Sequence, residues 1–206
     1  ALRYDAAVGG AIPVLRVLNE ALAGDHILRI AGVLNGTCTA ILSAMEAGSS
    51  FDAALAQAQR LGYAETDPRS DINGVDVAHK LAILVQTGFG IPLLSPQIPA
   101  RGIAEITQAD VAAAQEREKR IRLVACATRT ADGVQAEVTP RLLPAADEFA
   151  RTQGVENVVQ IDARDAGRLV LRGDGAGGAA TASSVLGDIV AVLRAIEPAA
   201  PALATA

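Results

Sequence analysis

The sequence predicts an α+β domain: a mixed, largely antiparallel sheet with helices mainly on one face. Three observations carry this. Stretches of helical period dominate residues 13–118, whereas alternating, β-rich stretches dominate 120–172. The later stretches are joined by turns rather than by helices, so hairpins outnumber strand-helix-strand units there. Half of the 206 residues are hydrophobic but only 2% are aromatic, so the core must be built from Ala, Val, Leu and Ile.

In chain order, residues 1–8 read as a short extended piece. Gly9-Gly10 and Pro13 then open a helix to about Ala23, with Ile12, Leu15, Leu18 and Leu22 at helical spacing. His26 to Leu34 has the pattern of a strand, and a helix follows Asn35-Gly36-Thr37 through Met45. Ser49 or Ser50 caps a helix over Phe51–Leu61. An acidic loop leads into a further helix ending near Thr87, for which Asp71 or Asn73 offers an N-cap. Beyond a proline-rich link, a helix capped by Thr107 or Gln108 runs to Glu118. Strands over 120–130 and 134–139 flank Asp132-Gly133, a dipeptide suited to a tight hairpin turn. Two more strands, 155–163 and 168–172, precede a glycine-rich turn and a last helix, about 181–196. Residues 1–197 thus form one domain, and 198–206 an Ala/Pro tail expected to be disordered.

The totals exclude several classes. Lys and Arg number 18 against 23 Asp and Glu, a net charge of −5, which opposes a nucleic-acid surface. Cys38 and Cys126 lie far apart without a Cys-x-x-Cys, and the two histidines make no metal pattern. No stretch approaches 18 consecutive apolar residues, so no membrane partner is expected and the protein reads as soluble and cytoplasmic.

The chemistry concentrates in residues 62–80. Four carboxylates (Glu65, Asp67, Asp71, Asp76) face two cations, Arg69 and Lys80. Eight of the thirteen residues from 75 to 87 are apolar, so Asp76 and Lys80 share a narrow polar stripe on an otherwise buried helix. Two readings stand. One is an ordinary i,i+4 ion pair worth roughly 0.2–0.5 kcal/mol. The other starts from how seldom lysine is buried without a partner or a chemical role. An amine held by a carboxylate can lend a proton and recover it.

Gly173-x-Gly175-x-Gly177-Gly178 lies between a strand and a helix, where backbone N–H groups can hold a phosphate. It serves equally as a turn that lets two backbones approach closely. Even as a nucleotide site it supplies only a part.

Gly62-Tyr63-Ala64-Glu65-x-Asp67-Pro68-x-x-Asp71-x-x-Gly74-x-Asp76-x-Ala78-x-Lys80 resembles the signature of homoserine dehydrogenases. Asp5 to Pro13, Gly32-Val33-Leu34-Asn35-Gly36-Thr37 and Gly173 to Asp188 are similar to that family in the same order. The resemblance implies an oxidoreductase of amino-acid biosynthesis that interconverts homoserine and aspartate 4-semialdehyde with NADP or NAD. It implies Lys80 as proton donor and acceptor, Glu65, Asp76, Asp71 and Thr37 as substrate-binding residues, and Gly175 and Gly177 as cofactor contacts. It implies a sodium site at Asp5, Val8, Gly10 and Ile12, with Asp5 where glutamate is usual. It also implies a homodimer or homotetramer. Because the family carries a nucleotide-binding domain ahead of this region, the chain is expected to be a fragment, inactive alone. A non-catalytic binding or assembly module on the same fold is the alternative, and the same domain acting on another small aldehyde is a third reading.

Overall fold

The computed structural model describes residues 2–196. Its centre is one five-stranded sheet in the order β3-β2-β1-β4-β5. The strands are β1 (Ile27–Val33), β2 (Lys119–Thr130), β3 (Gly133–Pro144), β4 (Glu156–Ala163) and β5 (Gly167–Asp174). All four pairings are antiparallel, and two are hairpins, β2–β3 and β4–β5. The only parallel element among the described residues is an isolated bridge from Ala100 to Val138.

Side chains alternate across this sheet. One face presents Ile30, Leu34, Leu123, Ala125, Ala127, Val159 and Ile161 to the main core, beneath α2 (Gly36–Glu46), α5 (Val75–Phe89) and α6 (Gln108–Gln115). The opposite face carries the smaller cluster Ala31, Val33, Val124, Cys126 and Val158, covered in part by Phe149. The α+β expectation, with helices mainly on one face, is therefore borne out. Leu81, Leu84 and Val85 of α5 are fully buried, so truncating Leu81 to alanine costs about 2–5 kcal/mol.

Several boundaries differ from the sequence reading, each for a local reason. Residues 5–7 form a 3-10 turn rather than an extended piece. The first helix begins only at α1 (Val14–Arg16), because Gly9 and Gly10 adopt positive φ to form a turn, and it continues as a π turn over Val17–Ala21. A short helix, α4 (Arg69–Ile72), occupies what reads as loop. α5 has no side-chain cap from Asp71 or Asn73: it opens on Gly74 in the left-handed region, and Asp71 is turned elsewhere. β3 runs on through Pro140 to Pro144, because an edge strand tolerates residues that cannot donate to a ladder. α6 stops at Gln115, and Glu118 takes a positive φ. α3 (Phe51–Arg60), capped by the Ser50 hydroxyl, matches its expected span.

The last helix, α7 (Gly178–Ile196), starts three residues earlier than the pattern suggests. Its polar side is tied to the start of the chain: the Ser184 hydroxyl donates to the Gly10 carbonyl, and Asp188 accepts from the Asp5 N–H. Its other side leaves Leu186, Ile189 and Leu193 exposed. By length and composition alone it could cross a membrane. The tail from 198 lies outside the described residues.

Candidate active site

Where β1 ends, the chain turns directly into α2, and Asn35 sits at that junction. Its side-chain oxygen accepts from the Cys38 N–H at 2.8 Å, an N-cap that satisfies one of the free amides of the helix start. That leaves its amide nitrogen free to donate twice, to Asp71 Oδ1 at 2.7 Å and to Asp76 Oδ2 at 2.8 Å. The neighbouring Gly36 has no room for a side chain, since a Cβ there would lie 2.9 Å from Val155 Cα. This pins the start of α2 against the segment leading into β4.

Lys80 reaches the same point from α5. Its ammonium donates to Asp76 Oδ2 at 2.7 Å and to the Leu34 carbonyl at 3.0 Å. Its side chain is 21% exposed, neither waving in solvent nor sealed. An ammonium has three N–H donors, and two are engaged here, which leaves a third for a ligand oxygen. Asp76 Oδ2 therefore receives both Asn35 and Lys80, and the unit Lys80–Asp76–Asn35–Asp71 is continuous.

Electrostatics favour a cationic guest. Two carboxylates share one ammonium and one neutral amide, so the cluster carries an excess of negative charge. Cys38, buried beneath it, has its thiol pushed well above the usual range, first by burial and then by Asp71 and Asp76. It is a structural, protonated thiol whose sulfur lies 3.3 Å from the Asp71 carbonyl.

The other expected residues stand apart from this unit. The Thr37 hydroxyl is buried and donates to the Tyr63 carbonyl, holding the acidic loop rather than facing out. Glu65 is exposed: Gln59 holds its backbone carbonyl at 3.1 Å, and its carboxylate makes no hydrogen bond among the described residues. Asp67 pairs with Arg69, whose hydrogen bond holds the carboxyl down at about 2. Asn35, the hub, is the residue sequence reasoning passed over. In the sequence it marks only the break between a strand and a helix, and its partners Asp71 and Asp76 lie far along the chain.

The sodium expectation is not supported. Asp5 Oδ1 accepts from the Leu15 and Arg16 N–H groups, so it caps α1, and burial pushes its carboxyl upward. The Gly10 carbonyl accepts from Ser184 and the Ile12 carbonyl from Val14. No group of three His, Cys, Asp or Glu side chains suited to a metal occurs among the described residues.

The glycine turn fits a small part of a dinucleotide. Gly177 has a φ of +112°, and a Cβ at Gly177 or Gly178 would meet nothing within 4 Å, so a flat group can approach the backbone. Beneath Gly175 lies Asn157, 1% exposed, with neither polar atom of its side chain hydrogen-bonded among the described residues.

Comparison with known proteins identifies the family to which the chain is similar. A family model described as homoserine dehydrogenase matches residues 13–190. A homoserine dehydrogenase from Mycobacterium leprae is 46% identical over 199 residues, covering 94% of this chain and 45% of that protein. One from Pseudomonas aeruginosa is 43% identical over 194 residues, with the same shares covered. A crystal structure of the Thiobacillus denitrificans homoserine dehydrogenase superposes with a TM-score of 0.89 at 42% identity, covering 93% of this chain and 44% of that one. A hyperthermophilic archaeal homoserine dehydrogenase in complex with NADPH superposes with a TM-score of 0.79 at 32% identity, covering 94% and 56%. The chain thus spans about 45% of the length of the curated relatives it matches.

Proposed function

Because the chain belongs to the homoserine dehydrogenase family, we propose that it carries the substrate side of that reaction, the NAD(P)-dependent interconversion of homoserine and aspartate 4-semialdehyde. The observation that carries the reading is the Lys80 ammonium, held by Asp76 and the Leu34 carbonyl with one N–H to spare.

The dinucleotide, when bound, donates or accepts a hydride at the substrate carbon. Lys80 manages the accompanying proton. In the reducing direction its third N–H donates to the aldehyde oxygen, which takes the proton and becomes the hydroxyl. In the oxidising direction the neutral amine takes the proton back. Asp76 holds the Lys80 nitrogen in place through one oxygen, and Asn35 keeps that oxygen aimed at it. Asp71 and Asp76 supply the negative field for the substrate's α-ammonium. Glu65, exposed on the loop before α4, is the further carboxylate that reaches it once substrate is bound. The first amides of α2 suit the substrate carboxylate. Gly175 and Gly177 are the cofactor contacts of this reading, with most of the dinucleotide held by residues outside this chain. Dimeric or tetrameric assembly and a cytoplasmic setting belong to the same proposal.

The test joins this chain to the part of the Mycobacterium leprae relative that lies outside the match and assays NADP-dependent oxidation of homoserine. The reading expects turnover with homoserine well above that with other small amino alcohols. A joined protein that is folded, binds NADPH and leaves homoserine untouched would reject it.

A further inference from the structure

Asn157 is a strand residue of β4 on the helix-covered face, and it lies between the two halves of the proposed site. Its neighbour Val158 pairs with Val33, so Asn157 flanks Leu34, whose carbonyl holds Lys80. On its other side it pairs with Gly173 of β5, where the glycine turn begins.

The turn rests on this side chain. A Cβ placed on Gly175 would fall 2.1, 2.2 and 2.3 Å from Asn157 Cγ, Nδ2 and Oδ1, so the amide fills the space that a side chain at 175 would need. From the other side the turn is backed by Gly10, where a Cβ would lie 2.7 Å from the Asp174 oxygen and from the Gly175 carbonyl. The Gly175 N–H donates to the Val155 carbonyl at 3.0 Å, and the Ala11 N–H to the Asp174 carbonyl at 3.0 Å. The backbone around Asn157 is thus engaged while its own amide is not.

That idle amide is unusual. Gln108 and Arg122 each leave one buried atom unpaired but are held through their other nitrogens, and the buried Ser43 and Thr87 hydroxyls lie within helices, where each can swing to a carbonyl one turn back. An asparagine in a strand has no such outlet. Two donors and an acceptor buried without bonds destabilise the state that contains them and favour any state that satisfies them.

We propose that Asn157 is the positioning residue of the glycine turn: when the nicotinamide end of a dinucleotide presses on Gly175–Gly177, the turn's peptide groups close on the Asn157 amide and form the hydrogen bonds it lacks. The turn is then fixed in register with the Lys80 network one strand away. The proposal rests on the dehydrogenase reading above. It makes the same amide a burden to the free chain and an asset to the liganded one, opposite to what a merely structural side chain would do.

Asn157→Leu separates the two, since leucine keeps the volume and removes the polar atoms. In the 206-residue chain its thermal midpoint is expected to hold or to rise by about 2–4 °C. In the joined protein, NADPH affinity measured by fluorescence without homoserine is expected to weaken roughly tenfold, with the homoserine KM within about twofold. Asn157→Ser, which restores one hydroxyl, is expected to recover part of that affinity and serves if the leucine variant does not fold. A midpoint lowered by several degrees, or NADPH affinity unchanged in both variants, would overturn the proposal. If the unmodified joined protein neither binds NADPH nor oxidises homoserine, the underlying reading falls with it. If it does both and the variants bind NADPH normally, this inference alone falls.

Discussion

The two ends of the proposed site are built in opposite ways. At the Lys80 end the side chains hold one another in a continuous network, and Asn35 joins two carboxylates while capping a helix. At the glycine turn Gly177 and Gly178 face open space, Asn157 lies idle beneath Gly175, and α7 continues from it with Leu186, Ile189 and Leu193 exposed. A satisfied network is rigid, and rigidity is what proton transfer to a defined oxygen needs. An unsatisfied turn is poised to be completed by something else. On the proposed reading, the acid–base side of the reaction lies within this chain, whereas the nucleotide side is only begun.

Substitutions can break or sharpen this contrast. The largest effect belongs to Lys80→Ala. In the joined protein the homoserine turnover rate is expected to fall by about 10²–10⁴, with the unfolding midpoint nearly unchanged because the side chain lies at the rim of the core. Next is Asn35→Leu, which removes the α2 cap and leaves Asp71 without its donor. It is expected to cost about 1–3 kcal/mol in denaturant unfolding and to lower kcat/KM roughly tenfold. A loss of stability without loss of activity would divorce the hub from the chemistry.

The smallest effect is electrostatic. Asp67, exposed in the acidic loop, is held down at about 2 by the Arg69 guanidinium. A carboxyl lowered in the folded state lends stability above its ordinary value near 3.8, and loses it as the pH falls through about 2. NMR titration of the Asp67 carboxyl should show that low midpoint and a return toward the ordinary value in Arg69→Ala. Homoserine turnover should barely change, since neither group touches the Lys80 network.

How much of this was legible in the sequence follows from the range of each interaction. The Asp132-Gly133 hairpin, the Ser50 and Thr107 caps and the buried stripe of α5 are local, and each stands in the structure near its expected place. The Asp76–Lys80 pair is one turn of helix apart and was equally readable. What periodicity could not supply were contacts between distant segments. Asn35 reaches Asp71 across 36 positions and Asp76 across 41, and Lys80 finds Leu34 across 46. Gly175 reads as a phosphate-binding glycine, yet its immediate need for glycine comes from Asn157 beneath it. The sodium site expected at Asp5 came from family resemblance alone, and nothing local in the sequence shows that its carboxylate meets the start of α1.

Lys80 as the proton donor and acceptor is the centre of the proposed chemistry, and chemical rescue tests it most directly. In the joined protein carrying Lys80→Ala, homoserine oxidation should be nearly lost and should return as small primary amines are added, rising with amine concentration. An amine-independent rate equal to that of the unmodified protein would contradict it.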